Sequence, residues 1–260
     1  MKSVLPADLA EAVTRLRAAG CVFAEEEATV LAEAAADAAA LAGSVRRRAA
    51  GEPLEQVVGY ADFCGVRVRL GPGVFVPRLR SELLVRLAAT HAGPGTVVVD
   101  LCCGSGALGL AVRHREPGVE LYATDSDPVA VACARDNLGT GVHQGNLFAA
   151  LPNGLRGRIG VLLANVPYVA TRHIPFLPAE ARLHEPHTAL DGGEDGLDVF
   201  RAVVAEAAGW LAPAGVLLSE ITGEQIKPAT ATVRAAGLHA AIHTDDDLEA
   251  TVVTATRATG

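Results

Sequence analysis

Residues 161–168 read VLLANVPY, an apolar run that leads directly into Asn165, Val166, Pro167 and Tyr168. A short continuous apolar run bounded by breakers is typical of a buried parallel strand. Open α/β sheets bind ligands beyond the carboxyl ends of their strands, so we expect Asn165 at the mouth of a crevice. Its amide offers a donor and an acceptor to another planar polar group. The alternative is a turn that only ends the strand.

Strand and helix patterns alternate on both sides of this stretch. Further strands are predicted at 97–100, 120–124, 141–144, 216–220, 239–243 and 250–255. Helices are predicted at 82–91, 107–114, 128–138, 197–211 and 224–236, and a long loop at 169–195. Strands that alternate with helices predict an α/β fold with a doubly wound sheet.

The first 78 residues have a different pattern. Helices are predicted at 6–18, 24–41 and 45–50, before a break at 51–53. The alternating residues 63–70 predict a strand, and a turn at 71–73 returns the chain through 74–76 as a β-hairpin. We therefore predict a helical N-terminal domain over 1–52, a β-hairpin linker over 53–78 and an α/β domain over 79–260.

Composition and charge limit the class of protein. The chain has 260 residues, of which 50% are hydrophobic and 20% charged, as in ordinary globular proteins. No run approaches the roughly 18 apolar residues that a membrane span needs, and acids occupy the place of a signal's apolar region. We expect no membrane contact and a cytoplasmic location. The net charge of −8 argues against a general nucleic-acid binder.

Arginine is concentrated in one region of this acidic chain. Residues 45–90 contain eight arginines and four acids. This pattern is consistent with a solvated face, and alternatively with a docking surface for an acidic or RNA-bearing partner.

The five cysteines show no metal-like spacing, so neither a zinc site nor a disulfide framework is predicted. Cys102 and Cys103 are adjacent at a predicted strand-to-helix turn. They suggest either a reactive thiol at a helix N-terminus or, preferably, small residues that fill a tight buried turn.

A glycine loop over residues 102–106 follows the first strand of the α/β region, within the sequence DLCCGSG of residues 100–106. Gly104–Gly109 satisfies the dinucleotide pattern, and Asp125 is placed to hold a ribose hydroxyl, so a nicotinamide dehydrogenase is one candidate. However, Asp100 directly before the loop would repel a pyrophosphate and attract the ammonium group of S-adenosylmethionine. Asp125 would then hold the adenosine ribose and Asn146 the adenine edge, unless both residues only cap turns.

Several segments together resemble the HemK-like protein-(glutamine-N5) methyltransferases, which modify a glutamine in peptide-chain release factors or in a ribosomal protein. The segments are GEPLEQVVGYADFCGVRVRLGPGVFVPR, VVVDLCCGSGALGLAV, ANVPY and HEPHTALDGGEDGLDVF, within residues 45–222. The resemblance implies a class I methyltransferase fold, Rossmann-like, with a mostly parallel seven-stranded sheet whose last strand is antiparallel. It also implies S-adenosylmethionine as the methyl donor.

The resemblance assigns site residues to this chain. The implied cofactor-binding positions are Cys102, Cys103, Gly104, Ser105, Gly106, Asp125, Leu147 and Asn165. The implied catalytic motif, usually Asn-Pro-Pro-Tyr, is Asn165, Val166, Pro167 and Tyr168. Our hypothesis is that the Asn165 side-chain oxygen and the Val166 carbonyl accept both N–H bonds of the substrate amide, while Pro167 and Tyr168 pack against it.

The chain departs from the family pattern at several positions. Val166 replaces a proline and loses its fixed φ. Cys102 replaces a glycine, from which we expect a negative φ, and Leu147 stands where a larger aromatic can occur. Leu79 and Arg80 replace the proline and the acid of a PRPET-like segment. The N-terminal helical part, which is expected to hold the protein substrate, is shorter than in the family.

The resulting prediction is S-adenosylmethionine-dependent methyl transfer to the side-chain amide of a glutamine in a protein, a release factor or a ribosomal protein. The alternative is transfer to an exocyclic amino group of a nucleic-acid base or of a small molecule. A base-modifying enzyme acts on a flipped base and should carry a broad basic surface, which the charge of −8 does not favour. We therefore expect no direct nucleic-acid binding.

Overall fold

The structure, a computed structural model, describes residues 4–258. The outer limits of the predicted first and last domains, at residues 1 and 260, lie outside the described residues. No helix in the described part of the chain is long and apolar enough to cross a membrane.

Four helices come first in the chain and share a small core built around Leu16, Leu31 and Leu41. They are α1 (Pro6–Ala18), α2 (Ala24–Ala34), α3 (Ala38–Ala49) and α4 (Leu54–Val58). The predicted single helix over 24–41 is wrong, because Ala35 is extended and the Asp37 side chain accepts the Ala40 N–H at 2.8 Å to begin α3. The separate helix predicted at 45–50 is the second half of α3.

A β-hairpin follows, formed by β1 (Tyr60–Phe63) and β2 (Val66–Arg69). Its position differs from the prediction, which paired 63–70 with 74–76. The chain turns at Cys64 and Gly65, both with positive φ, a backbone conformation that tight hairpin turns require. Val74 and Val76 are buried in irregular chain next to the hairpin.

The remaining strands form one seven-stranded sheet. In chain order the elements are α5 (Glu82–His91), β3 (Val97–Leu101), α6 (Ala107–Arg115), β4 (Glu120–Asp125), α7 (Pro128–Leu138), β5 (Val142–Gln144), β6 (Ile159–Ala164), α8 (Ala179–His184), α9 (His187–Leu190), α10 (Asp198–Trp210), β7 (Leu211–Glu220), α11 (Ile226–Ala235), β8 (His239–Asp245) and β9 (Ala250–Thr256). The strand order is β5-β4-β3-β6-β7-β9-β8, with β9 antiparallel to both neighbours. The predicted doubly wound sheet with an antiparallel last strand is confirmed.

Both faces of the sheet are covered, which explains the continuous apolar runs. Side chains of β6 alternate between the faces, so Leu162 packs with α10 and α11, whereas Leu163 packs with α5 and α6. The sheet order reverses between β3 and β6, and a ligand crevice is expected beyond the carboxyl ends of these strands. The segment 169–195, predicted as one loop, contains the short helices α8 and α9 beside this crevice.

Candidate active site

A cavity of about 580 Å³ lies beyond the carboxyl ends of β3, β4 and β6. It brings together most of the residues that the sequence singled out. Those that line it are Cys102, Cys103, Gly104, Ser105, Asp125, Asn146, Leu147, Asn165, Val166, Pro167 and Tyr168. Asp100 and Gly106 are absent from its lining.

The glycine loop between β3 and α6 turns sharply at the base of the cavity. Cys102 has a φ of 54°, so the expected negative φ is wrong: the residue keeps the left-handed conformation that glycine would adopt there. Gly106 also has a positive φ, and a Cβ on it would lie 2.8 Å from Leu138. The glycine therefore lets the loop pack on α7, a structural role that explains why it lies behind the cavity wall.

Asp100 is buried beneath this loop. One carboxylate oxygen accepts the Gly109 N–H at 2.9 Å, and the other has no hydrogen-bond partner. Burial raises the pKa of Asp100 to about 7. Because the side chain is turned into the α6 packing, its position favours shaping the loop over the direct attraction of a ligand ammonium group.

Asp125, at the end of β4, lies on the cavity wall. Its Oδ2 accepts the Gly104 N–H at 2.9 Å and its Oδ1 accepts the Asp127 N–H at 3.0 Å. Burial raises the pKa of this carboxyl, which the backbone donors partly offset. Each oxygen accepts one hydrogen bond from the protein, so each has a free lone pair for a ligand hydroxyl.

Asn146 and Leu147 follow β5 on the same side of the cavity. Asn146 is exposed, and its carbonyl accepts the Ala149 N–H of a 3-10 turn over Leu147–Ala150. Leu147 has a φ of 45° and packs against the core that contains Phe148. The two residues form one wall beside the glycine loop.

The Asn-Val-Pro-Tyr segment extends from β6 into the cavity wall. Asn165 Nδ2 donates to Ser81 Oγ at 3.2 Å, while its Oδ1 is buried without a partner. Val166 is 2% exposed, and no donor in the described part of the chain reaches its carbonyl. The Tyr168 hydroxyl donates to Glu220 Oε1 at 2.5 Å, and burial raises the pKa of this phenol, so it stays protonated.

The glycine-rich loop at 192–196 and Gln225 contact the backbone at the end of the Asn-Val-Pro-Tyr segment and directly after it. The Gly192 N–H donates to the Val169 carbonyl at 2.9 Å, and Gln225 Nε2 donates to the Tyr168 carbonyl at 2.9 Å. A Cβ on Gly196 would overlap the Tyr168 carbonyl oxygen. The loop therefore fixes the backbone after Asn165 by close approach.

Sequence reasoning did not assign Ser81, Glu220 or Gln225 to the site. Ser81 is predicted only as a helix start, and Glu220 only as the end of a strand. A sequence signal for Glu220 is present, because it ends β7 shortly after the apolar run at 216–218, much as Asn165 comes directly after β6. Its pairing with Ser81 and Tyr168 depends on distant parts of the chain and has no local pattern.

Most of the arginines concentrated in residues 45–90 form ion pairs. Six of the eight do so: Arg47 with Glu52, Arg48 with Glu27 and Glu180, Arg67 with Asp62, Arg78 with Glu185, Arg80 with Glu220 and Arg86 with Asp245. These pairs neutralise the local excess of positive charge. They favour the solvated or internally paired interpretation over a docking surface for RNA.

The two loop cysteines have protonated thiols. Burial raises the pKa of Cys102 to about 12 and raises that of Cys103 as well, and the neighbouring Asp100 and Asp125 add to both shifts. A thiolate at neutral pH is therefore disfavoured, which supports the role of small residues in a tight turn.

The sequence and the fold are similar to known methyltransferases. The model of the methyltransferase small domain family matches residues 66–193. A release factor glutamine methyltransferase from Moorella thermoacetica is 37% identical over 205 residues, which cover 75% of this chain and 71% of that protein.

Two further proteins extend the comparison. A 4-amino-L-phenylalanine/4-methylamino-L-phenylalanine methyltransferase from Streptomyces pristinaespiralis is 37% identical over 203 residues, 74% of this chain and 69% of that protein. The solved structure of a methyltransferase from Pyrococcus furiosus superposes with a TM-score of 0.56 at 13% identity, covering 75% of this chain and 90% of that one. This last similarity supports the fold alone.

Proposed function

The chain belongs to the family of the release factor glutamine methyltransferases, which are S-adenosylmethionine-dependent enzymes, and from this we propose that it methylates the side-chain amide nitrogen of a glutamine in a protein. The proposed substrate class is a peptide-chain release factor, or another translation protein that presents a glutamine on an exposed loop. The proposed location is the cytoplasm, where such a substrate occurs.

One observation carries this proposal. Asn165 Oδ1 and the Val166 carbonyl are two hydrogen-bond acceptors in consecutive residues, and neither has a donor within the described part of the chain. Leaving a buried acceptor such as Asn165 Oδ1 without a partner costs about 1–3 kcal/mol, and because Asn165 lines the cavity a ligand there can supply the donor. A primary amide carries two N–H groups on one nitrogen and matches this pair of acceptors.

The residues present fit the methyl donor. The Asp125 oxygens each keep a lone pair for a ribose hydroxyl, and the glycine loop, Asn146 and Leu147 provide the adjoining wall. Residues 102–105, Asp125, Asn146 and Leu147 would hold S-adenosylmethionine, whose sulfonium supplies an electrophilic methyl group when it is bound.

The residues of this chain would act by binding and orientation. Asn165 and Val166 would accept the two amide N–H bonds and so aim the nitrogen lone pair away from the protein. An amide nitrogen is a weak nucleophile, and acceptors placed where positive charge develops stabilise that charge. Pro167 and Tyr168 would pack against the flat amide. The methylated nitrogen becomes strongly acidic once it is cationic, so no protein base is needed.

The N-terminal helices are proposed to help hold the protein substrate. Arg48 of α3 donates to Glu180 of α8 at 2.9 Å, and Glu180 and Ala181 line the cavity. The helical unit therefore reaches the rim of the site through α8. The division into a substrate-recognition unit over 1–52, a hairpin linker over 53–78 and a catalytic unit over 79–260 stays a proposal, and Val57 of α4 packs with the helical core although it lies beyond residue 52.

A second candidate is methylation of an aromatic amine in a small molecule. It is favoured by the relative named for 4-amino-L-phenylalanine, whose identity to this chain equals that of the release factor enzyme. An aromatic amine also carries two N–H groups on one nitrogen. A direct comparison of 4-amino-L-phenylalanine with an unmethylated release factor as acceptor, at equal labelled donor, separates the two candidates.

The replacement Asn165→Ala tests the proposed mechanism. It removes one acceptor, so methyl transfer to the release factor should fall by at least about 100-fold, as for the loss of other preorganised hydrogen-bonding groups. Binding of S-adenosylmethionine, measured by calorimetry, should remain, because Asp125 and the glycine loop are unchanged. Full activity of this variant would contradict the proposed role of Asn165.

A further inference from the structure

Glu220, at the carboxyl end of β7, is 2% exposed and lies among three donors. Its Oε1 accepts the Tyr168 hydroxyl at 2.5 Å and Arg80 Nε at 2.9 Å. Its Oε2 accepts the Ser81 hydroxyl at 2.7 Å. An ionised carboxylate only accepts hydrogen bonds, so the directions of all three bonds are fixed.

The direction of the Ser81 hydroxyl determines how Asn165 is held. A serine hydroxyl has one proton, and Ser81 gives this proton to Glu220. Towards Asn165 it can therefore only accept, which requires the Asn165 NH2 group to face it, as the 3.2 Å contact shows. The amide oxygen is consequently turned away from Ser81, and it is the buried acceptor that has no partner.

We propose that Glu220 is a positioning residue that acts through Ser81 to set which end of the Asn165 amide meets the substrate. This inference rests on the proposed function. If the Asn165 amide were reversed, its Nδ2 would face an N–H of the substrate amide, and two hydrogen-bond donors would meet. The carboxylate therefore gives the catalytic amide its polarity, and it fixes the neighbouring Tyr168 ring at the same time.

Arg80 completes this arrangement. Its guanidinium bonds to Glu220 Oε1 and lies 5.9 Å from the centre of the Tyr168 ring. It is the only cation in direct contact with this carboxylate among the described residues. The arginine that replaces the acid of the PRPET-like segment thus compensates the buried charge in this chain.

The isosteric replacement Glu220→Gln should reverse the amide. A glutamine side chain has only one amide oxygen. This oxygen should take the position of Glu220 Oε1, because the Tyr168 hydroxyl and the charged Arg80 guanidinium both donate there. Its NH2 group then faces Ser81 and donates to Oγ. Ser81 is left to donate to Asn165, which would turn its oxygen towards Ser81 and its nitrogen towards the substrate.

The first measurement is steady-state methylation of an unmethylated release factor by Glu220→Gln. We expect kcat to fall by about 10- to 100-fold, the range expected when a reacting group is misplaced, with the dissociation constant of S-adenosylmethionine unchanged. Ser81→Ala should reduce kcat in the same way. Ser81→Thr keeps the hydroxyl and should retain most of the activity.

A double variant tests the polarity itself. An aspartate at residue 165 presents acceptor oxygens both to Ser81 and to the substrate. It can therefore accept a hydrogen bond from a Ser81 hydroxyl that donates, as expected in Glu220→Gln, but has no favourable contact with a Ser81 that only accepts, as in the unaltered protein. In the Glu220→Gln background Asn165→Asp should therefore raise kcat above that of Glu220→Gln alone. In the unaltered background the same change should lower it. A purely structural role of Glu220 predicts no such reversal of sign.

A spectroscopic readout needs no substrate. The chain has four asparagines, so protein labelled with [15N]asparagine gives four side-chain amide signals. Asn165→Ala identifies the signal of residue 165. Glu220→Gln and Ser81→Ala should shift it, while Ser81→Thr should leave it near its original position. Glu27→Gln, which neutralises the half-buried partner of another arginine, Arg48, is the matched control and should not move the signal.

The outcomes separate the two proposals. If the unaltered enzyme does not methylate a release factor but the Asn165 signal moves in Glu220→Gln, the proposed substrate fails and the positioning role stands. If the signal does not move, or if Asn165→Asp lowers kcat equally in both backgrounds, the positioning role is overturned. Loss of folding in Glu220→Gln is detected by its unfolding temperature, and Ser81→Ala against Ser81→Thr then decides the question.

Discussion

At the scale of single residues, the site combines a few buried polar groups that are only partly satisfied. Asn165 Oδ1 and Asp100 Oδ1 are both buried without a hydrogen-bond partner. The first adjoins the cavity, where a substrate can supply a donor. Asp100 Oδ1 lies behind the glycine loop, away from the cavity. Its lack of a partner has a different consequence, because a carboxyl group can bind a proton.

Asp100 should make the stability of the protein depend on pH. Burial raises its pKa from 3.8 to about 7, so the folded state binds a proton more tightly than the unfolded state. The free energy of unfolding should therefore fall as pH rises through this interval, by an amount on the order of a few kcal/mol. Asp100→Asn keeps an acceptor for the Gly109 N–H and should remove this decrease.

Urea unfolding at pH 5 and pH 8 checks this prediction. The free energy of unfolding of Asp100→Asn, relative to that of the unaltered protein, should be higher at pH 8 than at pH 5. S-adenosylmethionine must be left out of the samples, because a ligand that binds only the folded state raises the free energy of unfolding on its own. An equal difference at both pH values would contradict a raised pKa of Asp100.

The sequence predicted some site residues and missed others for a physical reason. Asn165 directly follows β6 and Asp125 ends β4, and parallel strands bring such positions to one edge of the sheet. Ser81 and Asn165 are 84 residues apart, and Ser81 and Glu220 are 139 apart. No local pattern connects them, so their network is visible only in the folded chain.

At the scale of secondary-structure elements, strongly patterned segments were predicted well. The predicted helix at 128–138 is α7 (Pro128–Leu138), because Pro128 fits its first turn and Gly139 follows its end. The alanine-rich segment 24–41 was predicted wrongly, since many alanines give little periodic contrast. The hairpin was misplaced because the Gly71-Pro72-Gly73 signal is stronger than that of the Cys64-Gly65 turn actually used.

The glycine-rich loop before α10 gives an element-scale prediction. Gly196 has a φ of 80° and leaves no room for a Cβ beside the Tyr168 carbonyl. Gly196→Ala should therefore destabilise the protein by about 2 kcal/mol or more and should lower methyl transfer by displacing Tyr168. Thermal unfolding and an activity assay measure both effects.

Gly209 near the end of α10 is the matched control for this change. A Cβ there meets no atom within 4 Å. Gly209→Ala should be neutral or stabilising, by up to about 1 kcal/mol, because alanine is the better helix former. Equal losses of stability in both variants would contradict the close-approach role of Gly196.

At the scale of the whole molecule, one arginine joins the N-terminal helices to the cavity rim. Arg48 has a side chain that is 13% exposed, and it bonds to Glu27 of α2 and Glu180 of α8. Arg48→Ala leaves the half-buried Glu27 without its partner and should cost about 1–3 kcal/mol of stability. It should also raise the KM for a protein substrate, since α8 loses its anchor.

The neighbouring Arg46 provides the control, because it is exposed. Arg46→Ala should change the free energy of unfolding by no more than about 0.5 kcal/mol, as is usual for surface positions. Denaturant unfolding of the two variants compares them directly. A comparable effect of both changes would show that Arg46 and Arg48 act as surface charges and not through the Arg48 contacts.

The atom that receives the methyl group decides the proposed function, and mass spectrometry of the product identifies this atom most directly. The enzyme is incubated with isotopically labelled S-adenosylmethionine and a bacterial extract that contains unmethylated release factors, and the labelled material is mapped by peptide fragmentation. We predict the label on the side-chain nitrogen of a glutamine, and its loss with Asn165→Ala. A label on a nucleotide or on an aromatic amine, with none on glutamine, would contradict the proposed function.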